Sequence, residues 1–430
     1  MGVPAHAPVA ALDAWIEPVE VFTALASAPG LFWLDAGAGA EAGWSWVGVG
    51  TPDTPDAVRA VACQASVGEG PVGAAGPLAA GWIGWWAYDD GARRAGAPAT
   101  PSAQPAAAWL RIGRMLAFDH GARRVWAVGA GAAALAAPQA YRGPRTAAGP
   151  IARVARARHS AEAYADLVER CRDAIREGDA YQLCLTTRFE VDGPVDDVTT
   201  YLSLRASSPS HHGGFIRHGG TTLVSASPER FLEVAGGVVR TSPIKGTRPR
   251  GDTAAEDERQ IAELLGSPKE RAENVMIVDL MRNDLSRVSL PGTVAVERLL
   301  AVESYPAVHQ LVSTVAGSLR AGTTIGALLD ATFPAGSMTG APKLSAMTIL
   351  AELERGARGV YAGCFGWVGD DGRADLAMTI RTVVVHAEGA YVGSGGGITW
   401  GSVPAAEVAE VGLKAAAPLA ALGAALPPGW

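Results

Sequence analysis

Short apolar segments bounded by glycine turns recur along the chain, and they limit its fold more than any other feature. Segments such as GLFWLDAG, GWSWVGVG, LAAGWIGWWAYD and MLAFD are typical of short buried strands. Later segments of this kind follow one another closely, as the strands of hairpins do, with helical stretches among them. This pattern favours an α+β fold with antiparallel sheets over a doubly wound parallel sheet.

Boundary residues and apolar spacing predict the helices. The clearest helix begins after Ser160, a residue suited to an N-cap, and ends at Gly178. A long helix is expected from about Ala254 to Asp284, and another helix is expected to end near Leu319. Three more are expected: one over ALLDATF, one over LSAMTILAELE, and one that begins at about Ala405. Strands are expected over CLTTRFEV, TLVSASPERFLEV, VVRTSPIKG, YAGCFGWVG, DLAMTIRTVVV and AYVGSGGGITW.

Composition divides the chain into two regions. Residues 1–150 are rich in Ala, Gly, Pro and Trp, and the Ala/Gly/Pro stretch from about Val128 to Pro150 is the predicted linker. We therefore expect an N-terminal region over 1–150 and a second domain over 151–430. A length of 430 residues is consistent with two or three domains, or with one large duplicated one.

Charge and cysteine usage exclude several classes of protein. The net charge is −7, and no long run of Lys and Arg is present, so a nucleic-acid partner is not expected. No apolar run reaches about 18 residues, and the first residues lack a basic segment, so neither a membrane span nor a signal peptide is expected. Four scattered cysteines argue against a disulfide framework or a zinc site. We expect a cytoplasmic enzyme with a small substrate.

Two predicted helices carry paired glutamates. These are Glu270 and Glu273 in KERAENVMIVDL, and Glu407 and Glu410 in PAAEVAEVGLKA. The i, i+3 spacing puts each pair on one helix face, beside apolar positions. One glutamate from each helix could therefore hold Mg²⁺ and leave room for water and a substrate carboxylate. A solvated helix face explains either pair alone equally well.

Two glycine-rich segments, PAGSMTGAPK and GSGGGITWG, could bring backbone N–H groups close to an anion. Tight hairpin turns explain them as well, and neither is a nucleotide-binding P-loop. Arg381 in TIRT and Lys414 beside the second glutamate pair suit carboxylate recognition, although each could also form an ordinary surface ion pair.

Lysine is rare in this chain. Of the 36 basic residues, only four are lysines, and one of them, Lys245, lies in the glycine-flanked segment SPIKGTRPRG. A lysine in its uncharged form has a lone pair that an arginine never offers. The position therefore raises the question of nucleophilic chemistry, against the alternative of a solvent-facing turn.

Six ordered motifs carry a family resemblance. ASPERF, PIKGTRPRG, ENVMIVDLMRND, FPAGSMTGAPK, TIRT and GSGGGI resemble those of the chorismate-utilising enzymes, from roughly Ser160 to Ala415. That family includes component I of the anthranilate and aminodeoxychorismate synthases, and the isochorismate and salicylate synthases. Nearer the start, GWIGWWAYD is similar to a stretch of the aminating members.

The resemblance implies a fold and a role for each of two regions of the chain. The implied fold is α+β, with two antiparallel β-sheets packed face to face, helices outside, and an active-site cleft at one end. Residues 1–150 would be an anthranilate synthase component I-like N-terminal region. Residues 151–430 would be the chorismate-binding catalytic domain.

The resemblance also implies roles for the singled-out residues. Glu273 and Glu410 match the Mg²⁺ ligands, with Glu270 and Glu407 holding metal waters or lying nearby, and the ion would anchor the ring carboxylate of chorismate. The implied substrate-binding residues are Arg381, Lys414, Gly395, Gly396, Gly397, Thr339 and Gly340. Glu229 matches a general acid for the C4 hydroxyl, and His309 matches a histidine near the reacting ring.

Two positions separate the branches of the family. The isochorismate and salicylate synthases carry a lysine where this chain has Gln182, so that branch is disfavoured. Anthranilate synthases usually read PIAGT where this chain reads PIKGT. In aminodeoxychorismate synthases that lysine, here Lys245, is thought to be a nucleophile at C2 of chorismate. We therefore expect 4-amino-4-deoxychorismate as the product, for folate or for a secondary metabolite. The alternatives are anthranilate synthase component I and an inactive chorismate-binding regulatory subunit.

The source of nitrogen is expected to be a second protein. GCFG, around Cys364, is the only segment similar to a glutaminase nucleophile loop, and it lies in a strand context without partner residues. Cys364 is therefore predicted to be a core residue. The implied partner is a glutamine amidotransferase subunit that supplies ammonia.

Overall fold

A computed structural model describes residues 8–64, 75–136, 153–305 and 308–430, and the fold is α+β, as the sequence predicts. The α-helices of these ranges are α1 Pro18–Ala24, α2 Pro55–Arg59, α3 Tyr88–Arg94, α4 Ala161–Glu177, α5 Asp197–Ser207, α6 Ala254–Gly266, α7 Pro268–Ser286, α8 Ile325–Thr332, α9 Lys343–Glu354 and α10 Pro404–Ala421. Among the described residues, no helix is both long enough and apolar enough to cross a membrane.

The strands cover about half of the rest of these ranges. They are β1 Val9–Ala11, β2 Leu31–Asp35, β3 Trp44–Asp53, β4 Gly81–Trp86, β5 Ala107–Asp119, β6 Arg124–Val128, β7 Arg153–Val154, β8 Arg156–Ala157, β9 Gln182–Asp192, β10 His212–His218, β11 Thr221–Ser227, β12 Arg230–Ala235, β13 Val238–Thr241, β14 Ile244–Pro249, β15 Ala295–Ser304, β16 Val308–Ser318, β17 Gly340–Ala341, β18 Cys364–Gly369, β19 Ala374–Met378, β20 Thr382–His386, β21 Gly389–Ile398 and β22 Ala424–Ala425.

Two antiparallel sheets share the long strand β5. Strand β3 runs along the whole of β5, whose first half pairs with β4 and whose second half pairs with β6. From β3, one sheet continues through β2, β10, β11, β20, β21 and β9. From β4, the other continues through β18, β19, β12, β13 and β16. The two sheets are therefore joined by hydrogen bonds at one corner.

The alternation of side chains shows how the layers pack. In β2, Phe32 and Leu34 enter a core cluster that also contains Phe365 of the other sheet. The intervening Trp33 enters a second cluster, with Tyr164 of helix α4. Because neighbouring strand residues point to opposite faces, one face of this sheet packs on the other sheet and its second face packs on helices. The expected face-to-face sheets with helices outside are confirmed.

Strand pairing crosses the expected domain boundary. Strand β2 pairs with β10, and β4 pairs with β18, so strands from before residue 150 complete both sheets. Most of the predicted linker, residues 137–150, lies outside the described residues. The division at residue 150 stays a prediction about sequence regions.

Local capping signals were reliable guides. In α4 the Ser160 hydroxyl accepts a hydrogen bond from the Ala163 N–H at 3.2 Å, and Gly178 ends the helix with φ 87°. The helix expected from about Ala254 to Asp284 is instead two helices. Ser267 ends α6 and caps α7, and Pro268 opens α7.

The helix expected to end near Leu319 was wrong, because residues Val308–Ser318 form strand β16. This strand pairs with β15 on one side and with β13 and β14 on the other. Its sequence, VHQLVSTVAGS, is rich in β-branched residues, which favour the extended backbone. Tertiary pairing on both sides decides the structure here.

A buried ion pair links four parts of the fold. Arg358 and Glu354, whose side chains are 2% and 3% exposed, lie 2.7 Å apart. Arg358 also donates hydrogen bonds to the carbonyls of Met338 and Cys184, and its guanidinium lies over the ring of Tyr88. The Glu354 carboxylate in turn accepts a hydrogen bond from a backbone N–H of β9. The pair therefore ties α9 to β9, to the segment before β17, and to α3.

We expect Arg358→Met to lower the free energy of unfolding by about 3–5 kcal/mol, because it leaves the Glu354 carboxylate buried without its partner. The double variant Arg358→Met/Glu354→Leu removes both charges and should recover most of that loss. Urea denaturation followed by circular dichroism measures both. The matched control is Glu352→Gln, because Glu352 is exposed on α9, the helix that carries Glu354. It should change the free energy of unfolding by less than about 0.5 kcal/mol. A single variant as stable as the control would contradict the structural role of the pair.

Candidate active site

Strand β9 separates two of the predicted substrate-binding segments. On one side, β21 pairs with β9 so that Gly397 lies opposite Cys184. On the other side, β17 pairs with β9 so that Gly340 lies opposite Leu183, and the Cys184 N–H donates to the Thr339 carbonyl at 2.8 Å. The start of β9 therefore has the GSGGGI and SMTG motifs as its two neighbours.

The two glutamate helices meet at a lysine. The Lys269 ammonium on α7 lies 3.9 Å from Glu273 Oε1 on its own helix and 3.4 Å from Glu407 Oε1 on α10. Glu273 and Glu407 are buried, and Ser402 donates to Glu407 Oε1 at 2.7 Å. The paired acidic faces of α7 and α10 therefore lie in one place, as the sequence pattern suggested.

The donor set suits a hard divalent cation. Across the described ranges, no three His, Cys, Asp or Glu side chains converge closely enough to form a ready-made metal cluster. However, Glu273 Oε1 is buried and has no hydrogen-bond partner, and burial raises the pKa of this carboxyl against the opposing charges of Lys245 and Lys269. The Lys269 ammonium forms an ion pair with this oxygen at 3.9 Å but no hydrogen bond, so a cation that binds more closely could complete its environment. These residues fit Mg²⁺ on that ground.

Glu270 lies at the edge of the same acidic group. Its carboxylate forms an ion pair with Arg248 at 3.5 Å and raises the pKa of Glu273. Gly246, next to Lys245, has φ 92°, and a Cβ there would lie 3.0 Å from Glu270 Oε2. The glycine after the lysine in PIKGT is therefore required both by its left-handed backbone and by the space that Glu270 occupies.

Glu410 lies among the predicted carboxylate anchors. Lys414 pairs with Glu410 Oε1 at 2.7 Å and donates to the Gly395 carbonyl at 2.9 Å. Burial raises the pKa of Glu410, but the charge and hydrogen bond of Lys414 outweigh it and hold that pKa below its usual value. Burial lowers the pKa of Arg381, against the opposing influence of Tyr361 and Glu410. Arg381, Lys414 and the glycines of β21 thus share one electrostatic environment.

Lys245 is half-buried in β14 and faces the end of β21. A Cβ at position 397 would lie 3.7 Å from Lys245 Nζ and 2.4 Å from Gln182 Nε2. Gly397 therefore has no room for a side chain between these two groups. The charge of Lys245 also lowers the pKa values of the buried Glu229 and Glu273. Lys245 is thus half-buried and lies near the carboxyls of Glu229 and Glu273.

Glu229 is a buried carboxyl at the turn between β11 and β12. Ser337 donates to Glu229 Oε1 at 3.1 Å, and the backbone N–H of Ile244 also contributes a hydrogen bond. Burial raises the pKa of Glu229 to about 7, although these hydrogen bonds and the charge of Lys245 oppose the shift. A carboxyl with such a pKa can hold and release a proton near neutral pH, as a general acid must.

His309 is the one predicted site residue whose contacts lead elsewhere. It is fully buried in β16, with Nδ1 2.8 Å from the Ser304 hydroxyl and Nε2 2.8 Å from Asp257 Oδ1 of α6. Both ring nitrogens thus contact groups other than the glutamates of α7 and α10. Its role near the substrate stays a prediction.

Three residues of the site were not singled out from the sequence. Lys269 had a usable signal, since it is one of four lysines and lies four positions before Glu273, at helical spacing. Ser337 lies inside the SMTG motif but reaches Glu229 across 108 residues. Ser402 precedes α10 in an irregular turn, where no spacing rule applies.

Comparisons with known proteins show which family this chain resembles. Residues 51–420 match the model of a protein family described as chorismate binding enzyme. The chain is 42% identical over 363 residues to the aminodeoxychorismate synthase of Streptomyces pristinaespiralis, covering 80% of this chain and 50% of that protein. It therefore spans about half the length of that relative.

Two further relatives represent separate component I proteins. Aminodeoxychorismate synthase component 1 of Klebsiella aerogenes is 38% identical over 78% of this chain and 75% of its own length. Anthranilate synthase component 1 of Streptomyces coelicolor is 36% identical over 86% of this chain and 78% of its own length. Sequence identity alone does not separate these two activities.

Solved structures share the fold. Anthranilate synthase component I from Streptococcus pneumoniae superposes with a TM-score of 0.70 at 28% identity, covering 97% of this chain and 93% of that chain. The menaquinone-specific isochorismate synthase MenF of Escherichia coli gives a TM-score of 0.72 at 16% identity over 98% and 96% of the two chains, a likeness of fold alone. With its ordered motifs, its two joined sheets and a family match over most of its length, the chain belongs to the chorismate binding enzymes.

Proposed function

We propose that this chain is the chorismate-aminating component of an aminodeoxychorismate synthase, which converts chorismate and ammonia to 4-amino-4-deoxychorismate and water. The observation that carries the proposal is Lys245 itself. An amine stands in the PIKGT motif, beside Gly397 and Gln182 and near the carboxyls of Glu229 and Glu273. Ammonia would come from glutamine through a separate amidotransferase subunit.

The glutamates of α7 and α10 would hold Mg²⁺. Glu273 and Glu410 are the proposed ligands, with Glu270 and Glu407 holding its water molecules. The unpartnered Oε1 of Glu273 supports this assignment. When bound, Mg²⁺ would supply the positive charge that anchors the ring carboxylate of chorismate.

The first chemical step would be covalent. The uncharged amine of Lys245 forms a bond to C2 of the ring, the two ring double bonds shift along the ring, and the C4–O bond breaks. Glu229, in its protonated form, gives its proton to the departing hydroxyl, which leaves as water. The raised pKa of Glu229 suits this role, since a carboxyl with an ordinary pKa would be ionised at neutral pH.

The second step reverses the shift of the double bonds. Ammonia forms a bond to C4, the double bonds return, and the C2–N bond to Lys245 breaks. The incoming nitrogen loses one proton, which restores the acid form of Glu229. The enolpyruvyl group is kept. One hydroxyl is thus replaced by one amino group, a transfer with no net oxidation.

The remaining residues would orient the substrate. Arg381 and Lys414 would pair with its carboxylates, and the backbone N–H groups of Gly395–Gly397 would donate to them. Thr339 and Gly340 would line the pocket beside β9. His309 would stabilise the wall of the pocket behind β14, through its hydrogen bonds to Asp257 and Ser304.

A second candidate function is anthranilate synthase component I. It is favoured by the 36% identity to the Streptomyces coelicolor protein and by the Streptococcus pneumoniae structure. The lysine of PIKGT argues against it, because direct entry of ammonia at C2 needs no protein nucleophile there. The two candidates differ in their products.

Incubation of the protein with chorismate, Mg²⁺ and ammonium salt should give 4-amino-4-deoxychorismate without release of pyruvate, as identified by mass spectrometry. Anthranilate with equimolar pyruvate would instead establish the second candidate. An absence of turnover with ammonium would favour the inactive-subunit alternative.

Lys245→Ala should lower the rate of amination by at least about two orders of magnitude, because it removes the proposed nucleophile. Lys245→Arg keeps the charge without a usable lone pair and should be equally impaired. Product formation is measured by liquid chromatography, and chorismate binding by calorimetry checks that the pocket is intact. Amination at the normal rate in either variant would rule out the covalent step while leaving the metal site standing.

The raised pKa of Glu229 predicts a pH-dependent stability. Between pH about 4.5 and about 7, the unfolded chain loses the Glu229 proton while the folded chain keeps it, so folding becomes less favourable as the pH rises. Glu229→Gln removes this loss and should gain about 3 kcal/mol relative to the parent protein over that interval, then stay level. Urea denaturation across this pH range measures the difference. Exposed Glu263→Gln is the control and should show no such trend.

A further inference from the structure

Lys269 contacts both acidic helices at once. It lies in the first turn of α7, four residues before Glu273, and its ammonium also reaches Glu407 of α10 at 3.4 Å. The side chains of Glu273 and Glu407 are 10% and 3% exposed, whereas that of Lys269 is 50% exposed. A half-exposed ammonium thus lies beside two buried carboxylates.

This ammonium lies where two buried carboxylates need a compensating positive charge. Two carboxylates on separate helices repel each other in a buried site unless a cation lies between them. A lysine side chain is positively charged at neutral pH, and the ammonium of Lys269 lies 3.9 Å from Glu273 Oε1 and 3.4 Å from Glu407 Oε1. The lysine therefore supplies the compensating charge in the metal-free protein.

We propose that Lys269 is an internal counter-ion that competes with Mg²⁺ for Glu273 Oε1 and for the space beside Glu407, and that metal binding displaces its ammonium into solvent. This inference rests on the proposed function, since it concerns the same magnesium site. Mg²⁺ approaches a carboxylate oxygen to about 2.1 Å, so an ammonium 3.9 Å from Glu273 Oε1 would lie within a few ångströms of a doubly charged ion bound there.

The geometry of Lys269 allows it to leave. Its flexible stem has four methylene groups, and its head is already half exposed, so rotation about the stem can carry the charge into water without moving α7. Glu273 and Glu407 have no such freedom, because both are buried between helices and sheet. The lysine then sets how much Mg²⁺ is needed to fill the site, and it keeps α7 and α10 together before the metal arrives.

The test measures Mg²⁺ binding without turnover. In Lys269→Met, isothermal titration calorimetry with MgCl₂ should give a Kd lower than that of the parent protein by about tenfold, the effect of one nearby charge in a partly buried site. The melting temperature of the metal-free variant should fall, so that its rise on addition of Mg²⁺ becomes larger. Lys269→Arg keeps the competing charge and should retain the weaker affinity. Arg271→Met, an exposed cation on the same helix turn, should leave the Kd unchanged.

Each other outcome has a distinct meaning. A Kd for Lys269→Met that is unchanged or higher would overturn the competition and make the lysine a supporting partner of the bound metal. If that variant does not fold, Lys269→Gln is measured in its place under the same criteria. An absence of Mg²⁺ binding in the parent protein would overturn the proposed metal site and this inference together, whereas a failure confined to the lysine variants leaves the proposed amination intact.

Discussion

The buried Arg358–Glu354 pair is the constraint on which the site depends. It joins α9 to the start of β9 and to the segment that leads into Thr339, and Tyr88 of the N-terminal region covers its guanidinium. The Asp89 carboxylate also accepts hydrogen bonds from the backbone N–H groups of Arg358 and Gly359. The N-terminal motif GWIGWWAYD therefore affects the site indirectly. Its Tyr88 and Asp89 hold Arg358, and Arg358 holds the segment that leads to Thr339 and the start of β9.

Within the site, burial and neighbouring charges shift the pKa values of two carboxyls in opposite directions. Glu229 has a pKa raised to about 7 by burial, whereas Glu410, paired with Lys414, has a pKa below its usual value. The charge of Lys245 lowers the pKa of Glu229, the proposed general acid, and of Glu273, a proposed metal ligand. One short stretch of β14 can in this way serve proton transfer on one side and charge anchoring on the other.

The sequence pointed to residues of the candidate site more readily than to the contacts that hold them in place. Lys269 contacts Glu273 and Glu407, whereas Glu410, the partner that the motifs suggest for Glu273, pairs with Lys414. Glu273 and Glu410 could be singled out in advance because helical spacing and the ordered motifs point to them. Ser337 and the Arg358–Glu354 pair could not, since their contacts join residues that are distant in sequence and follow no period. Strand β16 was mistaken for a helix because its apolar residues fit both periods over a short range, and only its neighbours on both sides decide between them. The likeness of motifs told nothing of where His309 points.

The sharing of β5 by both sheets has a consequence for fragments of the chain. A protein that starts after residue 150 would lack β2 and β4, and so would expose β10 and β18 as unpaired edges with rows of free N–H and C=O groups. Such edges invite association between molecules. The N-terminal strands β2 and β4 thus cover edges that would otherwise be open. Chain segments far apart in sequence must therefore pair before either sheet is complete, and such a topology is typical of slow folding.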